Sequence, residues 1–378
     1  MCFLALAVAI IPPIFVGEFG KWFHRALIFL VVSCPCALVI SIPLSFFSGI
    51  GGASKAGILV KGSNYLELLG KAKIAVFDKT GTLTKGVFKV VETCANGISE
   101  DDLLELAAYG EYYSNHPIAA SIKAAYKGTV QIDHLDGYEE ISGMGIKVLK
   151  DGKEVLVGNK KLLDSRKISI AGAKQPSKVG TVLFVAENGA YKGCITIADE
   201  IKDGVKDAIA SIKKCGIDNV VMLTGDKKEV ADSVAKELGI DTVCAELMPG
   251  DKVDKVEQLL REKDEDSTLI FTGDGINDAP VLMRADVGIA MGAMGQDAAI
   301  EAADIVLIDD DPGKIAVAYA IARKTVRIVQ QNIVFALAVK IIVMVLGALG
   351  FANMWAAVFA DVGVAFLAII NATRALKP

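Results

Sequence analysis

The chain has 378 residues, a net charge of −5, 53% hydrophobic and 22% charged residues, and a mean hydropathy of +0.46. The acidic balance gives no basis for nucleic-acid binding. Seven cysteines at irregular spacing do not form the framework of a small secreted protein. Apolar residues concentrate at the two ends and charges in the middle, which suits neither a soluble enzyme nor a simple membrane bundle.

Four apolar stretches predict four membrane crossings in two hairpins. Residues 1–16 are short for a crossing, which takes about 20 residues. A signal peptide is the alternative for them, although no basic segment or cleavage site accompanies them. Residues 26–48, 332–351 and 354–371 read as full crossings. Lysines and arginines follow the second and fourth stretches and precede the third, which predicts that the middle of the chain is cytoplasmic.

The second stretch contains a Cys-Pro-Cys sequence. Pro35 lacks an N–H group and opens one helical turn, so Cys34 and Cys36 present two soft ligands close together. Lys340 in the third stretch and Asp361 in the fourth are intramembrane charges, which are usually paired and functional. We predict that these four side chains form a site for a transported metal ion. The alternative for Lys340 is snorkelling to the membrane surface.

The middle of the chain predicts a doubly wound α/β domain interrupted by an α+β insertion. Three short runs rich in β-branched residues end in Asp78, Asp226 and Asp274, and helical patterns follow them. Ligands bind beyond the carboxyl ends of strands in such sheets. Residues 91–195 change to short strands with glycine turns, which are typical of an antiparallel sheet. The predicted domain order is two helices with Cys-Pro-Cys (1–70), the α/β domain (71–90), the insertion (91–195), the α/β domain again (196–320) and two membrane helices (321–378).

The residues around Asp78 predict phosphoryl transfer. The sequence DKTGTLT places a carboxylate nucleophile beside a cation and a loop whose amides and hydroxyls can hold phosphate oxygens. Asp274 and Asp278 are further carboxylates suited to Mg²⁺. Thr224 and Lys252 can neutralise charge that develops on a transferring phosphoryl group. Each acid alone could instead cap a helix after a strand.

The sequences DKTGTLT, TGD and TGDGINDAP, in this order, resemble those of the P-type ATPases, whose phosphorylation domain has the haloacid-dehalogenase fold. The resemblance implies that ATP phosphorylates Asp78 and that Asp78, Thr80 and Asp274 hold Mg²⁺. It further implies that seven polar or glycine residues contact the phosphoryl group, the nucleotide or the metal: Lys79, Thr224, Gly225, Asp226, Lys252, Asn277 and Asp278.

The insertion narrows this resemblance to the heavy-metal-transporting P-type ATPases. The sequences EYYSNHPIA, SGMGIKV and VGNK are similar to their nucleotide-binding domain. Glycines let a backbone approach a nucleotide closely, although GMG alone is more often a turn and a lone histidine a surface residue. The similarity implies ATP contacts from six residues: Glu111, His116, Gly143, Gly145, Gly158 and Asn159.

The membrane residues resemble those of the zinc, cadmium and lead exporters within that family. These exporters combine Cys-Pro-Cys with a lysine in the next span and Asp-Val-Gly in the last, whereas the Tyr-Asn and Met-Ser-Ser patterns of copper members do not occur here. A carboxylate also suits a divalent ion better than Cu(I). The resemblance implies ATP-driven export of Zn²⁺, Cd²⁺ or Pb²⁺ through an aspartyl-phosphate in the plasma membrane. Its implied partners are the lipid bilayer, ATP, Mg²⁺ and a cytosolic metal donor.

The family also has a Thr-Gly-Glu loop that hydrolyses the phosphoenzyme, and often an N-terminal metal-binding domain. Neither motif occurs in this sequence. We therefore expect a fragment of a longer pump, able to bind ATP but not to complete a transport cycle. Three alternatives stay open at this point: a haloacid-dehalogenase-type phosphatase, a copper-transporting ATPase, and a metal-binding membrane protein without catalysis.

Overall fold

The computed structural model describes residues 2–114, 116–170, 172–174, 176–274, 278–292 and 297–377. It has two compact units. The first comprises Met1–Val76, Asp207–Val220 and Pro249–Pro378, and the second comprises Phe77–Lys206 and Val221–Met248.

In chain order, the first elements are α1 (Cys2–Val16), α2 (Phe19–Val32), α3 (Cys36–Lys55), β1 (Ile58–Val60), α4 (Ser63–Leu69) and β2 (Ala72–Asp78). The next are β3 (Thr84–Ala95), α5 (Glu100–Gly110), α6 (Pro117–Ala125), β4 (Leu135–Ile141), β5 (Gly145–Lys150), β6 (Lys153–Gly158), α7 (Lys160–Ser165), β7 (Thr181–Glu187) and β8 (Ala190–Ile201).

The chain continues with α8 (Val205–Lys214), β9 (Asn219–Leu223), α9 (Lys228–Leu238), β10 (Thr242–Cys244), α10 (Pro249–Glu262), β11 (Thr268–Gly273), α11 (Ala279–Arg284) and β12 (Val287–Met291). It ends with α12 (Asp297–Ala302), β13 (Ile305–Leu307), α13 (Gly313–Leu349), α14 (Met354–Val358) and α15 (Val364–Thr373).

Among the described residues, three helical segments are long and apolar enough to cross a membrane, namely Phe19–Lys55, Gly313–Gly347 and Met354–Leu376. A fourth apolar helix, Ala5–Val16, is shorter, as the sequence predicts. Large apolar side chains such as Phe47 are exposed on these helices, which is expected where the surface faces lipid tails instead of water.

Two of the predicted membrane spans are interrupted in the structure. The second crossing is two helices, because α2 ends at Val32 and α3 begins at Cys36, beyond the turn that contains Pro35. The last crossing is also interrupted, since a π-helical turn at Phe359–Gly363 separates α14 from α15.

The third span is the end of a much longer helix. Helix α13 has 37 residues and begins at Gly313, well before the predicted start of the span. Its early residues Ile315, Ala318 and Tyr319 are buried at helical spacing. The hydroxyl of Tyr319 also donates to the carbonyl oxygen of Ala72 at 3.3 Å. The first part of α13 is therefore stabilised by protein packing, so hydropathy alone did not find its start.

Two sheets form the α/β part. The seven-stranded sheet has the order β1-β13-β12-β11-β2-β9-β10. Its pairs β11–β12, β12–β13 and β9–β10 are parallel, as predicted, whereas the edge strand β1 runs antiparallel to β13. The six-stranded sheet has the order β3-β8-β7-β6-β5-β4, and all of its pairs are antiparallel.

The six-stranded sheet is the core of the inserted α+β region. Its strands run between Thr84 and Ile201, slightly beyond the predicted limits of 91–195. Helices α5 and α6 pack on it through buried side chains that include Leu103, Ile122 and Val157. Ser99 caps α5: its hydroxyl accepts from the backbone N–H of Asp102, and Asp102 accepts in return from the N–H of Ser99.

Candidate functional site

The membrane helices bring Cys34, Cys36 and Asp361 together. One ligand atom from each lies within 4.8 Å of the others. Cys36 is the first residue of α3, and Asp361 is in the middle of the π-helical turn. A π-helical turn inserts an extra residue into a helix and is frequent at functional sites. These interruptions bring the ligand atoms of the two cysteines and the carboxylate together.

Lys340 is the cation beside this cluster. It is 5% exposed, and its Nζ atom lies 3.5 Å from Oδ1 of Asp361. It also donates to the carbonyl oxygen of Cys34, a group that the opening of the helix at Pro35 makes available. The lysine therefore points into the bundle, which excludes the snorkelling alternative.

The two cysteines are joined by a disulfide between their Sγ atoms. The sequence predicts the two cysteines as soft metal ligands, whereas in this structure the pair is oxidised. The proline between them explains how neighbours so close in sequence can pair, because it turns the chain and leaves the Cα atoms 5.5 Å apart. Metal binding through both sulfurs requires reduction to the dithiol, since thiolates are the ligands.

The second unit contains the residues around Asp78. Asp78 ends β2 and is 5% exposed. The backbone then turns sharply, with Thr80 extended and Gly81 in the left-handed region at φ 76°. A glycine takes this conformation without the strain that a side chain would add. The amino group of Lys202 donates to the carbonyl oxygen of Gly81 and fixes the turn.

Lys79 is a buried cation between two carboxylates. It is 4% exposed, and its Nζ atom lies 2.6 Å from Asp226 and 3.6 Å from Asp199. The hydroxyl of Thr84 donates to Asp199 at 2.5 Å. A buried charge requires such partners because the low local dielectric makes an isolated one costly. Lys79 is thereby held in place directly after Asp78.

The loop after β9 adds a second set of polar groups in the same unit. Thr224 is 2% exposed, and its hydroxyl accepts from the backbone N–H of Asp226 at 3.1 Å. The N–H of Thr224 donates to the carbonyl oxygen of Cys244, and the N–H of Leu247 donates back to Thr224. These bonds fix the loop that carries the predicted residues Thr224, Gly225 and Asp226.

A cavity of about 1300 Å³ lies in the second unit between these loops and the six-stranded sheet. The volume of this cavity exceeds the usual range for small-ligand sites, so it is large enough for a nucleoside triphosphate. Of the predicted residues, Lys79, Asn159, Gly225 and Asp226 line it. Four lysines that the sequence analysis did not select also line it: Lys160, Lys161, Lys178 and Lys227.

Five predicted nucleotide residues are not among the described residues that line this cavity: Glu111, His116, Gly143, Gly145 and Gly158. Glu111 is 6% exposed, and burial raises the pKa of its carboxyl above the ordinary value, against opposing effects of Ser114 and His116. Nδ1 of His116 accepts from the N–H of Ile118 at 3.2 Å and caps α6, so in this structure its ring stabilises a helix start.

Gly145 and Gly158 are partners in neighbouring strands. A Cβ atom on Gly145 would lie 2.3 Å from the carbonyl oxygen of Val157, and one on Gly158 would lie 2.3 Å from that of Met144. Close backbone approach therefore accounts for both glycines. Asn159 fixes the adjoining turn, because its Nδ2 donates to the carbonyl oxygen of Gly143 at 2.8 Å.

The remaining predicted acids belong to the first unit. Asp274 directly follows β11. Asp278 is 2% exposed, and its Oδ1 lies 3.0 Å from Nζ of Lys252 in the first turn of α10. The structure therefore pairs Asp278 with Lys252. Asn277 lies outside the described residues.

Asp199 and Lys202 are two further polar residues that the sequence analysis missed. Both are in the sequence ITIADEIK, where a buried strand runs into charged residues, as in the sequence before Asp78. That repeated pattern could have identified them. They were overlooked because this strand belongs to the antiparallel sheet, whereas the search for functional acids followed the ends of parallel strands.

Comparison with known proteins identifies relatives of the chain. A family model described as haloacid dehalogenase-like hydrolase matches residues 72–286. The cadmium, zinc and cobalt-transporting ATPase of Bacillus subtilis is 54% identical over 99% of this chain and 53% of its own length. The zinc-transporting ATPase of Synechocystis is 53% identical over 99% of this chain and 52% of its own. The chain thus spans about half the length of the curated relatives it matches.

A solved structure shows the same architecture. The crystal structure of a zinc-transporting PIB-type ATPase in the E2.Pi state matches with a TM-score of 0.85 and 35% identity. The match covers 100% of this chain and 62% of that one.

The parallel sheet and the aspartate at the end of its strand β2 define a hydrolase of the haloacid dehalogenase-like class, here continuous with membrane helices. Within that class, the chain belongs to the family of the heavy-metal-transporting P-type ATPases. It is an integral membrane protein with its α/β part on the cytoplasmic side, and the predicted family and fold class are confirmed.

Proposed function

We propose that the chain supplies the catalytic and ion-binding parts of an ATP-driven exporter of divalent soft metal ions. The convergence of Cys34, Cys36 and Asp361 within the membrane carries this proposal. Two thiolates and one carboxylate give a site with a net negative charge, and Lys340 partly neutralises it when no ion is bound. Zn²⁺, Cd²⁺, Pb²⁺ and Co²⁺ are the candidate ions. The first two and Co²⁺ occur in the names of the relatives.

The chemical step that we propose is phosphorylation of Asp78. Its carboxylate oxygen attacks the γ-phosphorus of ATP, the bond between that phosphorus and the β,γ-bridging oxygen breaks, and ADP leaves. Lys79 directly follows the nucleophile in the chain, and its charge, held by Asp226 and Asp199, favours the approach of an anionic phosphate. We also propose Thr224 and Lys252 as groups that stabilise the transferring phosphoryl group.

Mg²⁺ fits the chemistry of the proposed donor set. Carboxylates of Asp78 and Asp274 and an oxygen of Thr80 are hard ligands, which Mg²⁺ prefers. We propose these three residues as its ligands, with Asn277 and Asp278 in support. The ion would neutralise negative charge on the phosphates.

We propose the large cavity of the second unit as the ATP site. Asn159 lines it, together with five lysines (Lys79, Lys160, Lys161, Lys178 and Lys227) and four acids (Asp199, Glu200, Asp226 and Glu237). The lysines supply cations that can hold a polyphosphate. We also propose, from the family resemblance, that ATP is contacted by five further residues: Glu111, His116, Gly143, Gly145 and Gly158. A cytosolic metal donor is a further proposed partner.

Ion uptake by inside-out membrane vesicles tests the proposed function. We expect the intact protein to accumulate ⁶⁵Zn²⁺ in the presence of ATP and a reductant, and we expect Cys34→Ala and Asp361→Ala to abolish uptake. Cys215→Ala is the matched control, since this half-buried cysteine lies outside the membrane helices. Uptake that survives Asp361→Ala, or that Cys215→Ala abolishes equally, would contradict the proposed ion site.

A further inference from the structure

A buried polar cluster in the membrane bundle lies apart from the metal-binding residues. Its centre is Asn332 of α13, which is 1% exposed. The Nδ2 atom of Asn332 donates to the carbonyl oxygen of Ala368 on α15 at 3.1 Å and approaches the hydroxyl oxygen of Ser45 on α3 at 3.4 Å. Its Oδ1 accepts from Nδ2 of Asn371 on α15 at 2.9 Å. One amide thus links three helices.

The same three helical segments carry the proposed ion site. Each segment has one residue of the ion site and one of the polar cluster: Cys36 and Ser45 on α3, Lys340 and Asn332 on α13, Asp361 and Ala368 on the α14–α15 segment. The two residues are seven to nine positions apart, which corresponds to roughly 10 to 14 Å along a helix. Asn332 precedes Lys340 on α13, so the cluster lies toward the N-terminal end of that helix.

An apolar layer separates the polar cluster from the ion site. Ala37, Ala336 and Val364, each 0% exposed, pack together with one residue from each helical segment. Ala336 is four residues, or about one turn, from both Asn332 and Lys340. The Asn332 amide is therefore not placed to ligate an ion held by the cysteines, and it can affect that ion only through the helices.

We propose that Asn332 is a positioning residue for the ion site. By bonding to α3 and α15 at once, it fixes the relative depth and rotation of the helices on which Cys36, Lys340 and Asp361 stand. Buried polar groups within a membrane bundle favour the arrangement in which they find partners, because hydrocarbon offers none. This inference rests on the proposed function, since it concerns the affinity of the proposed ion site.

The test is Asn332→Leu in the intact protein under reducing conditions, since leucine has a similar volume and no polar atoms. We expect the Zn²⁺ concentration that gives half-maximal phosphorylation by ATP to rise about tenfold. We expect a similar rise in the Co²⁺ concentration that half-saturates the thiolate-to-Co²⁺ charge-transfer absorption. Binding of a fluorescent ATP analogue should not change, because the cavity lies in the second unit.

Thr325→Val is the matched control. Thr325 is on the same helix and is 0% exposed, but its hydroxyl donates to the carbonyl oxygen of Ile321 within that helix. We expect this variant to keep the wild-type Zn²⁺ and Co²⁺ half-saturation. If Thr325→Val raised the half-saturating Zn²⁺ and Co²⁺ concentrations as much as Asn332→Leu, the positioning role would be overturned, because removal of any buried polar group would then weaken ion binding.

Wild-type Co²⁺ half-saturation in Asn332→Leu would also overturn the proposal. Loss of ATP-analogue binding in Asn332→Leu would indicate that this variant does not fold. In that case Ser45→Ala and Asn371→Ala serve as the test, because each removes one hydrogen-bond partner of Asn332. Both are expected to raise the Co²⁺ half-saturation two- to threefold, and no change in either refutes the inference. Failure of the proposed function would show differently, as an absence of metal-dependent phosphorylation in the wild type, while the Co²⁺ titration would still decide the role of Asn332.

Discussion

Replacement of Gly145 by alanine distinguishes two roles for a glycine that the family resemblance places at the nucleotide. An added Cβ would lie 2.3 Å from the carbonyl oxygen of Val157 and 2.5 Å from Cα of Gly158. Overpacking costs about 1–3 kcal/mol, and a non-glycine residue at φ 147° adds strain of about 1–3 kcal/mol. We therefore expect a loss of about 2–6 kcal/mol, a large part of a typical domain's stability.

Pulse proteolysis of the intact protein across a urea gradient measures this loss in the second unit. Gly152→Ala is the control in the hairpin between β5 and β6, because Gly152 has φ 75° and no neighbour within 4 Å of an added Cβ. We expect this control to lose only about 1–2 kcal/mol, the cost of a left-handed backbone for alanine.

Binding of a fluorescent ATP analogue, measured under conditions where each variant stays folded, completes the test. If Gly145→Ala weakened nucleotide binding while its unfolding midpoint matched that of the wild type, the packing argument would be refuted. Gly145 would then act by contact with the nucleotide alone.

Three further predictions concern buried ionisable groups. Lys79→Met should lower the unfolding midpoint in pulse proteolysis, because removing one partner of a buried ion pair such as that with Asp199 costs about 3–5 kcal/mol; a wild-type midpoint would contradict this. Burial raises the pKa of Cys94 from 9.0 to about 11. Maleimide should therefore modify this thiol about 100-fold more slowly than an ordinary thiol near pH 8. Mass spectrometry measures the modification rate of Cys94 against that of Cys215. Burial also raises the pKa of Glu111, so the folded state binds this proton more tightly than the unfolded state. The free energy of unfolding should therefore fall as the pH rises from the unfolded-state pKa of Glu111 through its folded-state pKa. Glu111→Gln should flatten this pH dependence.

Specific results would contradict the predictions for Cys94 and Glu111. If Cys94 reacted as fast as Cys215, or if its rate did not rise with pH toward 11, its thiol would not be shielded by burial. If Glu111→Gln kept the wild-type slope of stability against pH, another group would be responsible for it.

The short motifs of the sequence predicted which membrane residues lie together in the structure. The helix interruption at Pro35 follows from the missing N–H of proline, and the approach of Asp361 to Cys34 and Cys36 follows from the scarcity of charges within membranes. The effect of proline on a helix is local, and an unpaired charge within a membrane is strongly unfavourable, so both can be predicted from a single sequence. The bond between Asn332 and Ala368 could not be found this way, since it depends on how three helices pack.

Sequence reasoning was weaker where packing between distant segments decides the structure. Helix α13 extends into the α/β part because Tyr319 and its neighbours are buried against it, which hydropathy does not register. Gly145 and Gly158 were assigned to the nucleotide, whereas their register in adjacent strands gives each a packing role. The π-helical turn at Asp361 also has no sequence marker comparable to Pro35.

The most direct test of the central claim is phosphorylation of the intact protein by [γ-³²P]ATP, with and without Zn²⁺, under reducing conditions. The account predicts a Zn²⁺-dependent, hydroxylamine-sensitive label that disappears in Asp78→Asn, and that loses its dependence on Zn²⁺ in Cys34→Ala. A label that persists in Asp78→Asn, or wild-type labelling that is the same with and without Zn²⁺, would contradict it.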